Sequence, residues 1–144
     1  SVGAHTEVEM IEKKHRIEDA LEAVRSAQVE GVVPGGGVTL LRIADRLQVQ
    51  TDNQDQAKGV EIIKKALSGP IIRMAENSGL DAKSVLDSIR GIESEESGMN
   101  FATGEVVDFF ESGIIDPAKV TRCALQNAVS VAGTLITTNF AILE

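Results

Sequence analysis

Apolar residues recur at spacings of three and four along most of this 144-residue chain, and glycine or proline stands where each series stops. Between Met10 and Gln28, for example, Ile17, Leu21 and Val24 fall on one helical face with charged residues between them. This period is typical of an amphipathic helix, whereas strand side chains alternate every two residues. The sequence therefore predicts a mainly helical chain with two or three short strands.

Residues that begin or end helices set the predicted boundaries. Pro70 suits a first helical turn, Asp81 is a good N-cap, and Gly79 suits the position after a last turn. The predicted helices cover residues 10–28 and 38–47, then Val60 to a stop at Gly69, Pro70 to Gly79, residues 82–90, and Pro117 to about Ile136. Short strands are predicted within Ser1–Glu9 and Thr137–Leu143, with a hairpin over Met99–Val107 that turns at Thr103-Gly104.

Composition and charge exclude several classes of function. The chain has 14 basic against 22 acidic residues and a net charge of −8, and it contains no Trp, no Tyr and four Phe. It should therefore neither attract a phosphate backbone nor stack bases, and we expect no nucleic-acid partner. No apolar run approaches the roughly 20 residues of a membrane span, so we expect no membrane association. The lone Cys123 is interpreted as a buried thiol.

A run of three glycines, Gly35 to Gly37, precedes the predicted helix at residue 38. Glycines in this place let a ligand approach the unpaired N–H groups of a helix N-terminus, which favour anions. The run lacks the Lys-Ser/Thr of a P-loop and the spacing of a dinucleotide fingerprint. A tight turn or close helix packing is the alternative interpretation, and local sequence alone favours it.

Other candidate residues have ordinary structural interpretations. Asp116 precedes Pro117 and suits a helix N-cap, although its carboxylate also suits ligand hydroxyls. Asp19 lies among charged neighbours and is interpreted as part of a solvated helical face. His5 and His15 have no cysteine at a zinc-ligand spacing, so no metal site is predicted. Local chemistry thus predicts an acidic helical domain with one candidate anion site.

Three segments in fixed order resemble the C-terminal part of group I chaperonins, the GroEL family. They are Val8–Leu21, Glu30–Gly37 and Gly113–Val120, and the resemblance is collinear over essentially all 144 residues. It implies a mainly α fold: a helical bundle like the chaperonin equatorial domain, with a few short β-strands, preceded by a helix of the intermediate domain. Residues 1–29 would end the intermediate hinge domain, and residues 30–144 would form the C-terminal half of the equatorial ATP-binding domain.

The resemblance also implies a function and site residues. The intact subunit would be an ATPase that encloses unfolded proteins and assists their folding, whereas the isolated 144 residues would be inactive. Asp19 matches the aspartate that orients or deprotonates the water attacking the γ-phosphate. The predicted ATP-binding residues are Gly35 and Gly36 near the ribose and base, Asn100, Phe101, Ala102 and Ile114 against adenine, and Asp116 on the ribose hydroxyls. Phe101 replaces a small residue of the family pattern, and Met99 stands where many relatives carry Tyr.

The implied cofactors and partners follow from the same resemblance. They are ATP, Mg²⁺ and K⁺, with the phosphate-binding Gly-Asp-Gly-Thr loop and the magnesium-binding aspartate expected in an N-terminal half outside these residues. The expected partners are identical subunits in a heptameric ring, and a GroES-type co-chaperonin and unfolded proteins held by an apical domain. The location would be the bacterial cytoplasm, the mitochondrial matrix or a plastid. The alternative is a non-catalytic helical fragment that oligomerises through apolar faces and a Thr138–Leu143 strand.

Overall fold

The computed structural model describes residues 3–140 and 142, and this part of the chain forms six helices and four short strands. In chain order they are α1 (Glu7–Glu30), β1 (Val32–Pro34), α2 (Val38–Arg46), α3 (Gln54–Leu67), α4 (Gly69–Asn77), α5 (Ala82–Arg90), β2 (Ser97–Asn100), β3 (Glu105–Asp108), β4 (Ile115–Pro117) and α6 (Ala118–Ile136). β1 pairs with β4, and β2 pairs with β3 in antiparallel register. The predicted mainly helical fold is confirmed.

Helix ends follow the predicted local chemistry. The Asp81 carboxylate accepts the N–H of Ser84 at 2.8 Å and caps α5, as predicted. Gly79 has a φ of 73°, and the following Leu80 donates its N–H to the Ala75 carbonyl at 2.9 Å. That bond closes α4 on the Ala75 carbonyl, which also accepts the N–H of Ser78 at 3.1 Å.

Two predicted strands at the chain ends are wrong for the residues that the structure describes. The Thr6 hydroxyl accepts the N–H of Glu9 at 3.2 Å, so α1 begins at Glu7 and residues 3–6 are not a strand. Beyond α6, Thr137 and Thr138 donate their hydroxyls to carbonyls of the last turn, at 2.9 and 2.7 Å. These local bonds replace the pairing that a strand would need. Ser1, Val2, Ala141, Leu143 and Glu144 lie outside the described residues.

The chain divides into two compact units, residues 1–32 with 116–144 and residues 33–115. In the first unit, α1 packs beside α6. Arg122 on α6 donates two hydrogen bonds to the Glu30 carboxylate, at 2.9 Å from Nε and 2.6 Å from Nη2. Neither helix has a fully buried residue among those that the structure describes. The predicted domain boundary near residue 30 stays a prediction.

The second unit holds the hydrophobic core. Its buried residues come from α2, α4, α5, β2 and the turn after β3: Val38, Leu41, Ile71, Ala75, Val85, Ile89, Met99 and Phe109. Burying each large apolar side chain contributes roughly 1.5–3 kcal/mol relative to exposure. The predicted hairpin is confirmed, with Asn100 opposite Glu105 and Gly104 in the turn at a φ of 75°. The hairpin therefore brings Asn100 to one end of this core.

Candidate functional site

The glycine run forms the turn between β1 and α2, at the helix N-terminus that the sequence predicted. Gly35 is buried, and its N–H donates to the Ile114 carbonyl at 2.9 Å. Its carbonyl accepts the N–H of Val38 at 3.1 Å, which starts the first turn of α2. Gly36 and Gly37 both have left-handed φ angles, 59° and 74°. The backbone of this turn is therefore held on one side by Ile114.

Close packing explains why two of these positions are glycine. A Cβ on Gly37 would lie 2.9 Å from Met74 Cε and 3.0 Å from the Ile71 nitrogen. A Cβ on Gly36 would lie 3.2 Å from Cζ of Phe109. The tight-turn and close-packing interpretation is thus confirmed at both positions. This requirement holds whether or not a ligand also approaches the turn.

The predicted adenine segment forms a turn at the end of β2. The Asn100 side-chain oxygen accepts the N–H of Ala102 at 3.0 Å, and its backbone carbonyl accepts the N–H of Gly104 at 2.8 Å. Phe101 is half-buried against the core, whereas Ala102 is exposed. The turn therefore places the apolar, half-buried Phe101 next to the exposed Ala102.

Part of the predicted site comes together within the second unit. Gly35 touches Ile114 through the hydrogen bond between their backbones, and Ile114 is half-buried against the same core as Phe101. The Met99 carbonyl lies 3.9 Å from the position of a Cβ on Gly36, and Met99 directly precedes Asn100. Six of the predicted site residues belong to this unit: Gly35, Gly36, Asn100, Phe101, Ala102 and Ile114.

Asp116 belongs to the first unit and is not an N-cap, so that structural prediction is wrong. It lies in β4, and α6 begins only at Ala118. The N–H of Ala118 donates to the Gly31 carbonyl at 3.0 Å. Although the residue is largely exposed, surrounding protein atoms partly desolvate its carboxyl, and this raises the pKa of Asp116 above its usual value. No ion pair to this carboxylate occurs within the described residues.

Asp19 lies in the middle of α1 and is exposed, as the interpretation of a solvated face predicted. Its neighbours form ion pairs along the same helix, such as Arg16 with Glu12 at 2.6 Å and Lys14 with Glu18 at 3.6 Å. Its catalytic role stays a prediction.

Sequence reasoning missed two residues that organise the second unit. Phe109 is fully buried between the glycine turn and β2. Arg42 on α2 donates from Nη2 to the carbonyls of Ser94 and Ser97, at 2.6 and 3.1 Å, and so ties α2 to the segment leading into β2. Both roles depend on contacts between residues far apart in the chain. For Phe109, the only local signal was that Phe is scarce in this sequence, which has four.

Comparison with known proteins decides the family. The sequence profile of the TCP-1/cpn60 chaperonin family matches residues 1–144. The chain belongs to this family. A crystal structure of a group III chaperonin in the open state superposes with a TM-score of 0.79 and 30% sequence identity, over 98% of this chain and 30% of that one. This chaperonin chain therefore spans about 30% of the length of that relative.

The match confirms the chaperonin-like helical fold, and chaperonins of this family are in general ATPases that form oligomeric rings. Within residues 3–140 and 142, no group of three His, Cys, Asp or Glu is placed to hold a metal ion. The same residues include no helix long and apolar enough to cross a membrane.

Proposed function

We propose that this chain is the C-terminal portion of an ATP-dependent chaperonin subunit of group I. One observation carries the proposal: the family match covers the whole chain. The contacts that bring Gly35, Gly36 and Ile114 together at one edge of the core support it. The group I assignment rests on the three sequence segments that resemble GroEL. The group III structure supports the family and the fold.

In this proposal the second unit binds the adenine and ribose side of ATP. The half-buried Ile114 and Phe101 provide apolar contacts for a planar base. Gly36 and Asn100 are only partly buried, and Gly36 has no side chain to hinder a ligand that approaches its backbone. Asp116 provides a carboxylate that accepts hydrogen bonds from ribose hydroxyls. The magnesium, potassium and phosphate contacts would belong to other parts of the subunit.

Asp19 is proposed to promote hydrolysis when α1 closes over bound ATP. A carboxylate within hydrogen-bond reach of the attacking water orients it or accepts its proton. Closure follows from differential binding, because ATP shifts the subunit toward the closed state only as far as it binds that state better. Since Asp19 is exposed and lies outside the core, removing its carboxylate should not disturb the fold.

The test is Asp19→Ala in the intact subunit, with Glu18→Gln on the same exposed helix as the control. We expect Asp19→Ala to retain ATP affinity and to lose hydrolysis by about 10²–10⁴-fold, the usual contribution of a general base. Glu18→Gln should hydrolyse ATP normally. Weak ATP binding by Asp19→Ala with normal turnover per bound nucleotide would contradict the assignment.

The assembly and location belong to the same proposal. The intact subunit would form a heptameric homo-oligomeric ring and would bind a GroES-type co-chaperonin and unfolded proteins through its apical domain. It would act in the bacterial cytoplasm or, in a eukaryote, in the mitochondrial matrix or a plastid. Native mass spectrometry of the intact particle measures the subunit number, and any number other than a multiple of seven would contradict the ring proposal.

A second candidate function applies to the 144 residues alone, namely non-catalytic oligomerisation. Its support is the exposed apolar surface at the end of α6, where Val131, Leu135 and Ile136 are 59%, 66% and 85% exposed. Thr138–Phe140 form no strand, so strand pairing there does not support it. Size-exclusion chromatography with and without ATP separates the two functions, because association of the fragment that ignores nucleotide favours oligomerisation.

A further inference from the structure

The edge of the Phe109 ring lies between two glycines. The side chain is fully buried, and its Cζ and Cε2 atoms lie 3.2 and 3.3 Å from the position of a Cβ on Gly36. The same two atoms lie 2.7 and 3.0 Å from the position of a Cβ on Gly98. Side-chain carbons rarely approach within 3.4 Å of a neighbour, so the ring takes the space that a side chain at either glycine would need.

The backbone of Phe109 is bonded to two other segments. Its N–H donates to the Glu96 carbonyl at 2.9 Å, next to the start of β2, and its carbonyl accepts the N–H of Ile114 at 2.8 Å. Ile114 in turn accepts the N–H of Gly35 at 2.9 Å. These contacts therefore link the glycine turn to Ile114, Ile114 to Phe109, and Phe109 back to the glycine turn at Gly36.

We propose that Phe109 is the positioning residue of the nucleotide site, and this inference rests on the proposed function. It fixes three segments relative to one another: the turn at Gly36, the strand that leads to Asn100, and Ile114. Because it is fully buried, it acts through the backbone of these neighbours and not by contact with the reacting atoms.

The position of Phe109 distinguishes it from the rest of the core. Most core side chains project from helices, which stay regular when one side chain shrinks. Phe109 lies in the turn after β3, and glycines flank its ring edge. Glycine has the greatest backbone freedom of any residue. A smaller side chain at position 109 therefore lets the segments that carry the two glycines shift toward each other. A displaced segment loses part of its contact with the ligand, and each loss of about 1.4 kcal/mol in binding free energy weakens the affinity about tenfold.

The test compares Phe109→Leu with Ile89→Val in the intact subunit, measuring ATP affinity, hydrolysis and thermal unfolding. Ile89 is equally buried in the same core but lies on α5, outside the three segments. We expect Phe109→Leu to weaken ATP binding on the order of tenfold, equivalent to about 1.4 kcal/mol, with hydrolysis per bound nucleotide changed by less than about twofold. Ile89→Val should lower thermal stability and leave ATP affinity unchanged.

Two further variants keep the inference falsifiable. Phe109→Met has about the volume of Phe109→Leu, but its side chain is longer, unbranched and flexible and reaches the ring edge, so it should recover most of the affinity. Gly36→Ala places its methyl group against Cζ and Cε2, two atoms that leucine lacks. The loss of ATP affinity in the double variant Gly36→Ala with Phe109→Leu should therefore be less than the sum of the two single losses.

The outcomes separate this inference from the proposed function. If Phe109→Leu binds ATP as tightly as the unmutated subunit while its melting temperature falls as in Ile89→Val, Phe109 is an ordinary core residue and the inference is wrong. Strictly additive losses in the Gly36 and Phe109 pair would overturn it as well. If the unmutated intact subunit binds no ATP, the proposed function itself fails, and the inference fails with it.

Discussion

Replacing Gly98 by alanine adds one methyl group at a crowded position of the core. Its Cβ would lie 2.6 Å from Val38 Cγ2 and 2.7 Å from Phe109 Cζ. Both neighbours are fully buried, so neither side chain can move aside into solvent. Overpacking of this kind costs about 1–3 kcal/mol. Alanine in a strand gains about 0.5–1 kcal/mol over glycine. With a mid-range clash cost of about 2 kcal/mol, we expect a net loss of about 1–1.5 kcal/mol in the free energy of unfolding.

Gly59→Ala is the matched control for this prediction. Gly59 lies inside α3, has nothing within 4 Å of its Cβ position, and does not have a left-handed φ. The same substitution should there stabilise the protein by about 0.4–1 kcal/mol, because it restricts the unfolded chain. Urea unfolding measures both variants, with the midpoint moving in opposite directions and the slope unchanged. If Gly98→Ala is neutral or stabilising like Gly59→Ala, the account of the packing around Phe109 is refuted.

Three further predictions concern the core and the charged groups. Leu41→Ala removes a fully buried side chain from α2 and should lower the free energy of unfolding, measured in urea, by about 2–5 kcal/mol. A loss below about 1 kcal/mol would contradict the place of Leu41 in the core. The hydrogen bond from Arg122 lowers the pKa of Glu30, so the pair stabilises the fold above the unfolded-state pKa and loses this effect as pH falls through the folded-state pKa. Arg122→Gln should therefore be less stable than the unmutated protein near neutral pH but not in acid, and a difference that persists in acid would contradict the ion pair as its cause. Partial desolvation of the largely exposed Asp116 carboxyl raises its pKa, so its charge destabilises the fold as pH rises from the unfolded-state to the folded-state pKa. Asp116→Asn should therefore melt higher than the unmutated protein at neutral pH, and equal melting temperatures would refute this.

Elements set by neighbouring residues were predictable from the sequence. Asp81 and Gly79 act at helix ends through groups within a few positions, and the structure places them as predicted. The hairpin turn at Gly104 follows for the same reason. The wrong strands at the chain ends show the limit of this reasoning, because Thr6, Thr137 and Thr138 have β-forming side chains that bond to nearby backbone instead.

Features that depend on distant contacts were not predictable. Asp116 has the sequence context of an N-cap, but the bond from Ala118 to the Gly31 carbonyl starts α6 one residue later than that cap requires. The glycine turn was found from its composition, whereas its reason lies in Phe109, Met74 and Ile71, which are far away in the chain. Phe109 itself was missed because no local pattern indicates which aromatic residue will lie between two glycines.

The resemblance located the candidate site, and the structure supports the juxtaposition of its residues in the second unit. Gly35 and Ile114 are 79 positions apart, yet their backbones share a hydrogen bond of 2.9 Å. Local composition predicted neither this pairing nor its link to Asn100. The roles of Asp19 and Asp116 remain predictions, since both depend on bound nucleotide.

The most direct test of the central claim is photocrosslinking of the intact subunit with an azido-adenine analogue of ATP. Adenine is proposed to lie against Asn100–Ala102 and Ile114, so peptide mass spectrometry should find the label on peptides that contain these residues. Excess ATP should abolish the labelling. Labelling that ATP competes away but that never falls on these peptides would contradict the account.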